Sequence, residues 1–240
     1  MFNENPTISI ILPCRNEART LSALLQSLQN QTYPVAEIIL ADAQSTDSSL
    51  AIAKSHSVKV VRGGLPSIGR NAGALVASGE LLWFVDADLP PLPPDFLHLA
   101  VQTIIKNRLD YAVPQVSCSS GSIILKLGHH LYNLYVSAWG KFRPHTIGGC
   151  LFISSKLFAT IGGFDPLSQF CEDQYLGLVA KNHGQFGIIK NLKIDLNPRR
   201  YQNDGPISTA TRFILAELHL IFIGPIRHNL LGYRLDYDKT

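Results

Sequence analysis

The sequence predicts a doubly wound α/β fold, a mostly parallel sheet flanked by helices, with a helical extension at the C-terminus. Two observations carry that expectation. From Ile8 to Val85, short β-branched and aliphatic runs alternate with segments whose apolar residues recur at helical spacing. Each run also ends in a polar or glycine-bearing loop, as in open sheets whose ligands bind at the carboxyl ends of the strands. The sharpest case is Leu81-Leu82-Trp83-Phe84-Val85, which stops in Asp86-Ala87-Asp88 and then in Leu89-Pro90-Pro91. The prolines cannot continue a ladder, so a buried strand delivers two carboxylates to a surface.

Ile8 to Leu12 is the first strand, closed by Pro13-Cys14-Arg15-Asn16-Glu17. Leu21, Leu24, Leu25 and Leu28 then make one helix face, with Thr20 as its N-cap. Ile38 to Ala41 is the second strand, and Asp42 to Asp47 leads into a helix ending near Ser55. Val58 to Val61 is the third, and Arg62-Gly63-Gly64 is flexible enough to let a ligand approach the backbone. Ser67 caps a helix from Ile68 to Ala77. Four loops therefore gather at one sheet edge: Pro13 to Glu17, Asp42 to Asp47, Arg62 to Arg70, and Asp86 to Asp88.

In the second half, Pro93-Pro94-Asp95 starts a helix, Tyr111 to Val116 is a strand, and Ser122 to Trp139 is helical. Its adjacent His129 and His130 point about 100° apart and read as packing or acceptor contacts in preference to a metal site. Gly148-Gly149 runs into a strand ending at Ile153, and Leu157 to Ile161 is a short helix. Gly162-Gly163-Phe164-Asp165 is a turn, and Cys171 to Leu178 starts a helix with Glu172 and Asp173 in its first turn. Phe186 to Ile189 and Lys193 to Leu196 read as two strands, Arg199 to Gly205 as a loop, and Ile207 to Ile223 as the last helix.

The 240 residues suit one large domain with an extension, and the net charge of +3 fits an anionic small ligand or a membrane surface. A nucleic-acid binder would carry a denser basic stripe. Cys14, Cys118, Cys150 and Cys171 lack the spacing of a zinc or redox site and read as reduced, buried thiols of a cytoplasmic protein. There is no secretory signal pattern and no apolar run of spanning length. Ile214, Leu215, Leu218, Ile221 and Phe222 form a stripe on the final helix, with Arg212, Arg227, His228 and Arg234 near its ends. That stripe suits packing on the sheet or on a second subunit of a homodimer. It also suits peripheral contact with a membrane at its cytoplasmic face.

Asp86 and Asp88 alone are compatible with a solvated turn or with a divalent cation. Arg70 is more specific. A cation in a helix's first turn opposes the macrodipole, and a diphosphate arriving at that edge would account for it.

Taken together, the loops resemble the inverting family 2 glycosyltransferases of GT-A fold, over Ile8 to about Leu196. The motifs that carry the resemblance are Ile10-Ile11-Leu12-Pro13-Cys14-Arg15-Asn16-Glu17; Ala41-Asp42-Ala43-Gln44-Ser45-Thr46-Asp47; Gly69-Arg70-Asn71-Ala72-Gly73-Ala74 with Asp86-Ala87-Asp88; and Gly162-Gly163-Phe164-Asp165 before Glu172-Asp173. The resemblance implies a nucleotide-sugar donor, UDP- or GDP-linked, with Pro13, Asn16 and Glu17 lining the nucleoside pocket and Asp42 accepting from the base. The family's usual Asp-Asp-Gly-Ser is here Asp42-Ala43-Gln44-Ser45, which bears on base preference. Asp88 is implied as the direct ligand of Mn²⁺ or Mg²⁺, with Asp86 beside it towards the ribose or a metal-bound water. Asp173 is implied as the base that activates a hydroxyl acceptor, and Glu172 as its support or as a contact to the donor.

Gly148 and Gly149 would let the backbone approach the sugar or acceptor, and Arg199 and Arg200 would either hold phosphate of the donor or of a lipid-phosphate acceptor or form a solvated basic turn. Residues 1–205 then form the transferase domain, 1–90 for the nucleotide and 91–205 for the acceptor, and 206–240 the C-terminal helix and tail. The Gln-x-x-Arg-Trp signature of processive polysaccharide synthases is absent, so one sugar per turnover is expected. Two alternatives share the fold: a nucleotidyltransferase, which usually carries a glycine-rich loop where Pro13 to Glu17 stand, and a non-catalytic nucleotide-sugar-binding protein.

Overall fold

The computed structural model describes residues 4–197 and 199–228. A seven-stranded sheet runs in the order β3-β2-β1-β4-β6-β5-β7. Its strands are β1 (Ile8–Cys14), β2 (Glu37–Asp42), β3 (Lys59–Arg62), β4 (Leu81–Val85), β5 (Tyr111–Ser117), β6 (Cys150–Ser154) and β7 (Phe186–Asp195). The first four pair in parallel, whereas β6 is antiparallel to both neighbours, so the sheet is mixed at that strand. The strand order reverses direction beside β1 and β4, and the carboxyl ends of those strands open the crevice where ligands of such sheets bind.

Alternation along the buried strands serves two cores. Ile8, Ile10, Leu12, Trp83 and Val85 face one side of the sheet, with α1 (Ala18–Gln29) and α4 (Phe96–Lys106) packed over them. Ile11, Leu82 and Phe84 face the other, under α3 (Pro66–Leu75), α6 (Ser155–Thr160) and α7 (Glu172–Ala180). Trp83 stacks between Phe96 and Phe152, at 5.7 and 5.0 Å between ring centroids, and its Nε1 donates to Cys150 Sγ at 3.2 Å. Each such ring buried contributes about 1.5–3 kcal/mol. The remaining helices are α2 (Ser49–Ser55), α5 (Ile123–Trp139), α8 (Arg199–Asp204) and α9 (Pro206–Phe222).

Several local expectations change. Helix α1 starts at Ala18 behind Glu17, so Thr20 is inside it; the Thr20 hydroxyl instead donates to Ala87 O at 3.1 Å and fastens the turn after β4. Pro66 opens α3, with its ring preset for a first helical position, and Ser67 is a buried helical residue, not the cap. The two strands expected after Phe186 are one, β7, interrupted where Pro114 opposes Ile189 and Gln115 opposes Lys193. Arg199 to Asp204 is helical instead of a loop. Helix α9 packs Ala216 and Leu220 on Phe170 and Cys171 at the start of α7, not on the sheet. Arg234 lies outside the described residues.

Candidate active site

The loops after β1 and β2 lock each other. Asn16 adopts a left-handed backbone (φ 56°), a conformation asparagine tolerates. Its N–H donates to Ser45 Oγ at 3.0 Å and its Oδ1 accepts from Thr46 N–H at 2.8 Å. Glu17 N–H donates to Ser49 Oγ at 3.0 Å. Asp42, at the last position of β2, is buried and accepts from Ser45 N–H at 3.2 and 3.3 Å on its two oxygens. Pro13 is half-buried against Gly69 of α3, whose absent Cβ would sit 3.4 Å from it. Asp42 thus does part of its work as a turn acid, and the four residues named for the nucleoside pocket lie together at one strand edge.

Arg70 is the hub. Because α3 begins at Pro66, Arg70 lies in the second helical turn, so its placement is not a first-turn anomaly. Its side chain is only 4 % exposed; Nη2 donates to Asp86 Oδ1 at 2.8 Å and Nη1 to Glu172 Oε1 at 2.6 Å. The guanidinium lies 5.4 Å from the Phe164 ring centroid. A buried cation needs such partners. Instead of lying open to an incoming diphosphate, both Nη atoms are engaged in the folded chain by carboxylates from the two halves of the sequence.

Gly148 and Gly149 thread through the same cluster. A Cβ on Gly148 would fall 2.6 Å from Arg70 Nη2, and one on Gly149 3.0 Å from Asp86 Oδ2. Gly149 O accepts from Asp86 N–H at 3.2 Å. The close approach these glycines permit is therefore to the protein's own charged groups. Gly148 N–H donates to Asp173 Oδ2 at 2.6 Å, Gln174 N–H donates to Asp173 Oδ1 at 2.8 Å, and the Thr146 hydroxyl donates to the Asp173 carbonyl. Burial first, then the adjacent Glu172 carboxylate, pushes Asp173 up to about 6, while Gly148 N–H and Arg70 pull the other way. Cys171, which precedes these acids, is held at φ 54°, a costly backbone for a residue with a side chain.

Asp86 and Asp88 frame a tight turn after β4, closed by Leu89 N–H donating to Asp86 O at 3.2 Å. Both are half-buried. The donor set fits a hard divalent cation: carboxylate oxygens at a strand edge, with Asp86 Oδ2 not taken by Arg70. Among the described residues no group of three or more His, Cys, Asp or Glu is placed to hold a metal ion.

Sequence reasoning missed several neighbours. Asn71 exchanges two hydrogen bonds with the Phe164 backbone, at 2.8 and 2.9 Å, and docks the Gly162–Asp165 turn on α3; its signal was adjacency to Arg70. His145 Nε2 lies 3.3 Å from Glu217 Oε1, beside Arg143 on the same oxygen, and packs edge-on against Tyr132 and Tyr135. His145 and Arg143 hold Glu217 down at about 2 against the opposing effect of burial. Burial, with the Asp173 and Glu217 charges nearby, pushes the Tyr132 phenol well above its ordinary value. Nothing in a linear reading joins these residues. His129 pairs with the Tyr201 hydroxyl at 3.2 Å, while His130 is exposed. The side chains of Arg199 and Arg200 lie outside the described residues.

A family model described as glycosyl transferase family 2 matches residues 9–161. A 4,4'-diaponeurosporenoate glycosyltransferase of Staphylococcus haemolyticus is 36% identical over 199 residues, 78% of this chain and 50% of that protein. The chain spans 14% and 34% of two other curated relatives it matches. Among solved structures, the mannosyltransferase PcManGT from Pyrobaculum calidifontis, in complex with GDP-Man and Mn²⁺, superposes with a TM-score of 0.68 at 19% identity, covering 92% of this chain and 71% of that one. S. aureus TarS 1-349 in complex with UDP gives 0.65 at 19% identity, covering 97% and 77%.

Proposed function

Because the chain belongs to glycosyl transferase family 2, we propose that it moves one sugar from a nucleoside-diphosphate donor to an acceptor hydroxyl by a single, inverting displacement. The observation that carries this reading is the Arg70 bridge: one buried cation holds Asp86, on the leaving-group side, and Glu172, next to the candidate base. The two carboxylate clusters are thereby joined through a single buried guanidinium.

In this mechanism Asp173 takes the proton of the acceptor hydroxyl as its oxygen attacks the anomeric carbon. The bond to the diphosphate breaks on the opposite face and its electron pair leaves with the diphosphate. A carboxylate raised to about 6 is still ionised near neutral pH and is a better proton acceptor than an ordinary aspartate. Gly148 N–H and Gln174 N–H orient it. Asp88 and Asp86 would hold Mn²⁺ or Mg²⁺, which when bound neutralises charge developing on the diphosphate. Pro13, Asn16, Glu17 and Asp42 bind the nucleoside. The GDP-Man and UDP of the solved relatives support nucleotide-linked donors, and Mn²⁺ in one supports the cation. The acceptor is a lipid, lipid phosphate, saccharide or small molecule. Residues 1–205 act as the transferase unit, and four buried free thiols agree with a reducing compartment.

The test is a thermal-shift panel of UDP- and GDP-sugars with Mn²⁺ or Mg²⁺. A ligand at about 100 times its Kd stabilises by roughly 2.7 kcal/mol, and metal-dependent stabilisation by one nucleotide class is expected. Absence of any such shift removes the donor reading. Asp173→Asn is expected to bind donor and lose transfer; undiminished turnover removes the base assignment.

A further inference from the structure

Helices α5 and α9 are inverted relative to ordinary surface helices, whose apolar stripe faces the core. Their buried contributions are small: His129 and Val136 on α5, and Thr209, Ala216 and Leu220 on α9. Most of the large apolar side chains exposed among the described residues lie on these two helices and the segments just after them. Ile123, Leu127, Leu131 and Leu134 recur along the outer side of α5, and Ile214 and Leu218 along that of α9, all at least 45 % exposed. The helices are joined through His145, between Tyr135 of α5 and Glu217 of α9. Exposed apolar residues concentrated on two helices in this way, unlike singly scattered ones, point to a docking site.

The charges around it select the occupant. Helix α5 contains no Asp or Glu, and the single carboxylate of α9, Glu217, is bound to Arg143 and His145. Lys126 and Lys141 stand exposed beside the apolar residues. Among the described residues, a second copy would bring the same apolar and lysine-bearing helices, whose one carboxylate, Glu217, is already engaged and leaves none to receive the lysines. An anionic bilayer offers both an apolar layer and negative headgroups. No helix among the described residues is long and apolar enough to cross a membrane, so the contact is interfacial. We propose that the α5–α9 face docks on an anionic lipid surface, with both helices lying in the headgroup layer. This surface includes α5 as well as the C-terminal helix, and it stands independently of the transferase reading.

The experiment is co-flotation of the full chain with phosphatidylcholine vesicles, with and without phosphatidylglycerol. Binding only to the anionic vesicles, weakened by salt, is expected. Each lysine near the headgroups is worth about five-fold in partitioning, so Lys126→Glu with Lys141→Glu loses on the order of 25-fold or more. Leu127→Ser with Ile214→Ser abolishes flotation while leaving the melting temperature near that of the parent, because both side chains are already exposed. Three results overturn the proposal: no flotation at low salt, equal flotation of the charge-reversed variant, or a self-association in sedimentation that the Leu127→Ser/Ile214→Ser variant removes, which would assign the face to a second copy.

Discussion

Replacing Arg70 by methionine tests whether one guanidinium both holds the site together and sets the acidity of its base. The side chain is 4 % exposed and bonded to Asp86 and Glu172 at 2.8 and 2.6 Å. Removing one member of such a buried arrangement costs about 3–5 kcal/mol, because the remaining charges lose their partner. The Asp86 side chain is 38 % exposed and can recruit water, so most of that cost falls on Glu172, which is 17 % exposed. The kinetic signature is separate. Arg70 favours the ionised form of Asp173, which stands at about 6. Without that opposite charge Asp173 moves upward from about 6 and its ionised fraction at pH 7 falls.

The assay is kcat against pH for the parent, Arg70→Met and Arg70→Lys. The acid limb is expected near pH 6 in the parent and in the lysine variant, and displaced upward in the methionine variant, with activity recovering at high pH. Loss that is uniform across pH, or a limb that stays in place, refutes the assignment. Should Arg70→Met not fold, Arg70→Met with Glu172→Gln removes both charges of the closer pair and is compared with Glu172→Gln alone, because Glu172 raises Asp173 while Arg70 lowers it; the limb of the double variant is expected above that of the single.

Gly73→Ala would place a Cβ 2.4 Å from Ile11 Cγ2 in the core between α3 and β1; a branched methyl cannot swing away, so a loss of about 1–3 kcal/mol in denaturant unfolding is expected, and an unchanged midpoint would show that α3 can shift freely. Asn71→Ala removes both hydrogen bonds to the Phe164 backbone and should cost about 1–3 kcal/mol, with lost amide-exchange protection at Phe164; retained protection would show that the turn is held by packing alone. Glu217 sits at about 2, below its ordinary 4.5, so its stabilisation is fully present above pH 4.5 and is lost as pH falls through 2. Glu217→Gln should therefore destabilise by roughly 3 kcal/mol at pH 7, the gap to the parent closing between pH 4.5 and 2; a gap independent of pH would mean that packing, not ionisation, carries the contact.

The βα repeat was legible because it is local. Leu21, Leu24, Leu25 and Leu28 are all buried on α1, and Leu81 to Val85 form the fully buried strand that their composition announces. So were the acids of the site, since Asp86-Ala87-Asp88 follows its strand directly and Glu172-Asp173 opens its helix. Boundaries were less so. Pro66 presets a helical start that outranks Ser67 as a cap, and the break opposite Pro114 depends on register with β7, which no window of sequence contains.

What the sequence determined by itself was which residue types stand at the ends of which strands, because strand and helix periodicities are properties of short segments. Only the tertiary structure decided what those residues do to one another. Arg70 meets Glu172 from 102 positions away, Gly148 reaches Asp173 from 25, and Arg143 reaches Glu217 from 74. A buried charge takes its partner from whatever the fold packs against it, and that choice is made by the whole sheet at once. The same holds for the final helix: its stripe was visible in the sequence, and its outward direction follows from α9 resting on α7 through Ala216 and Leu220.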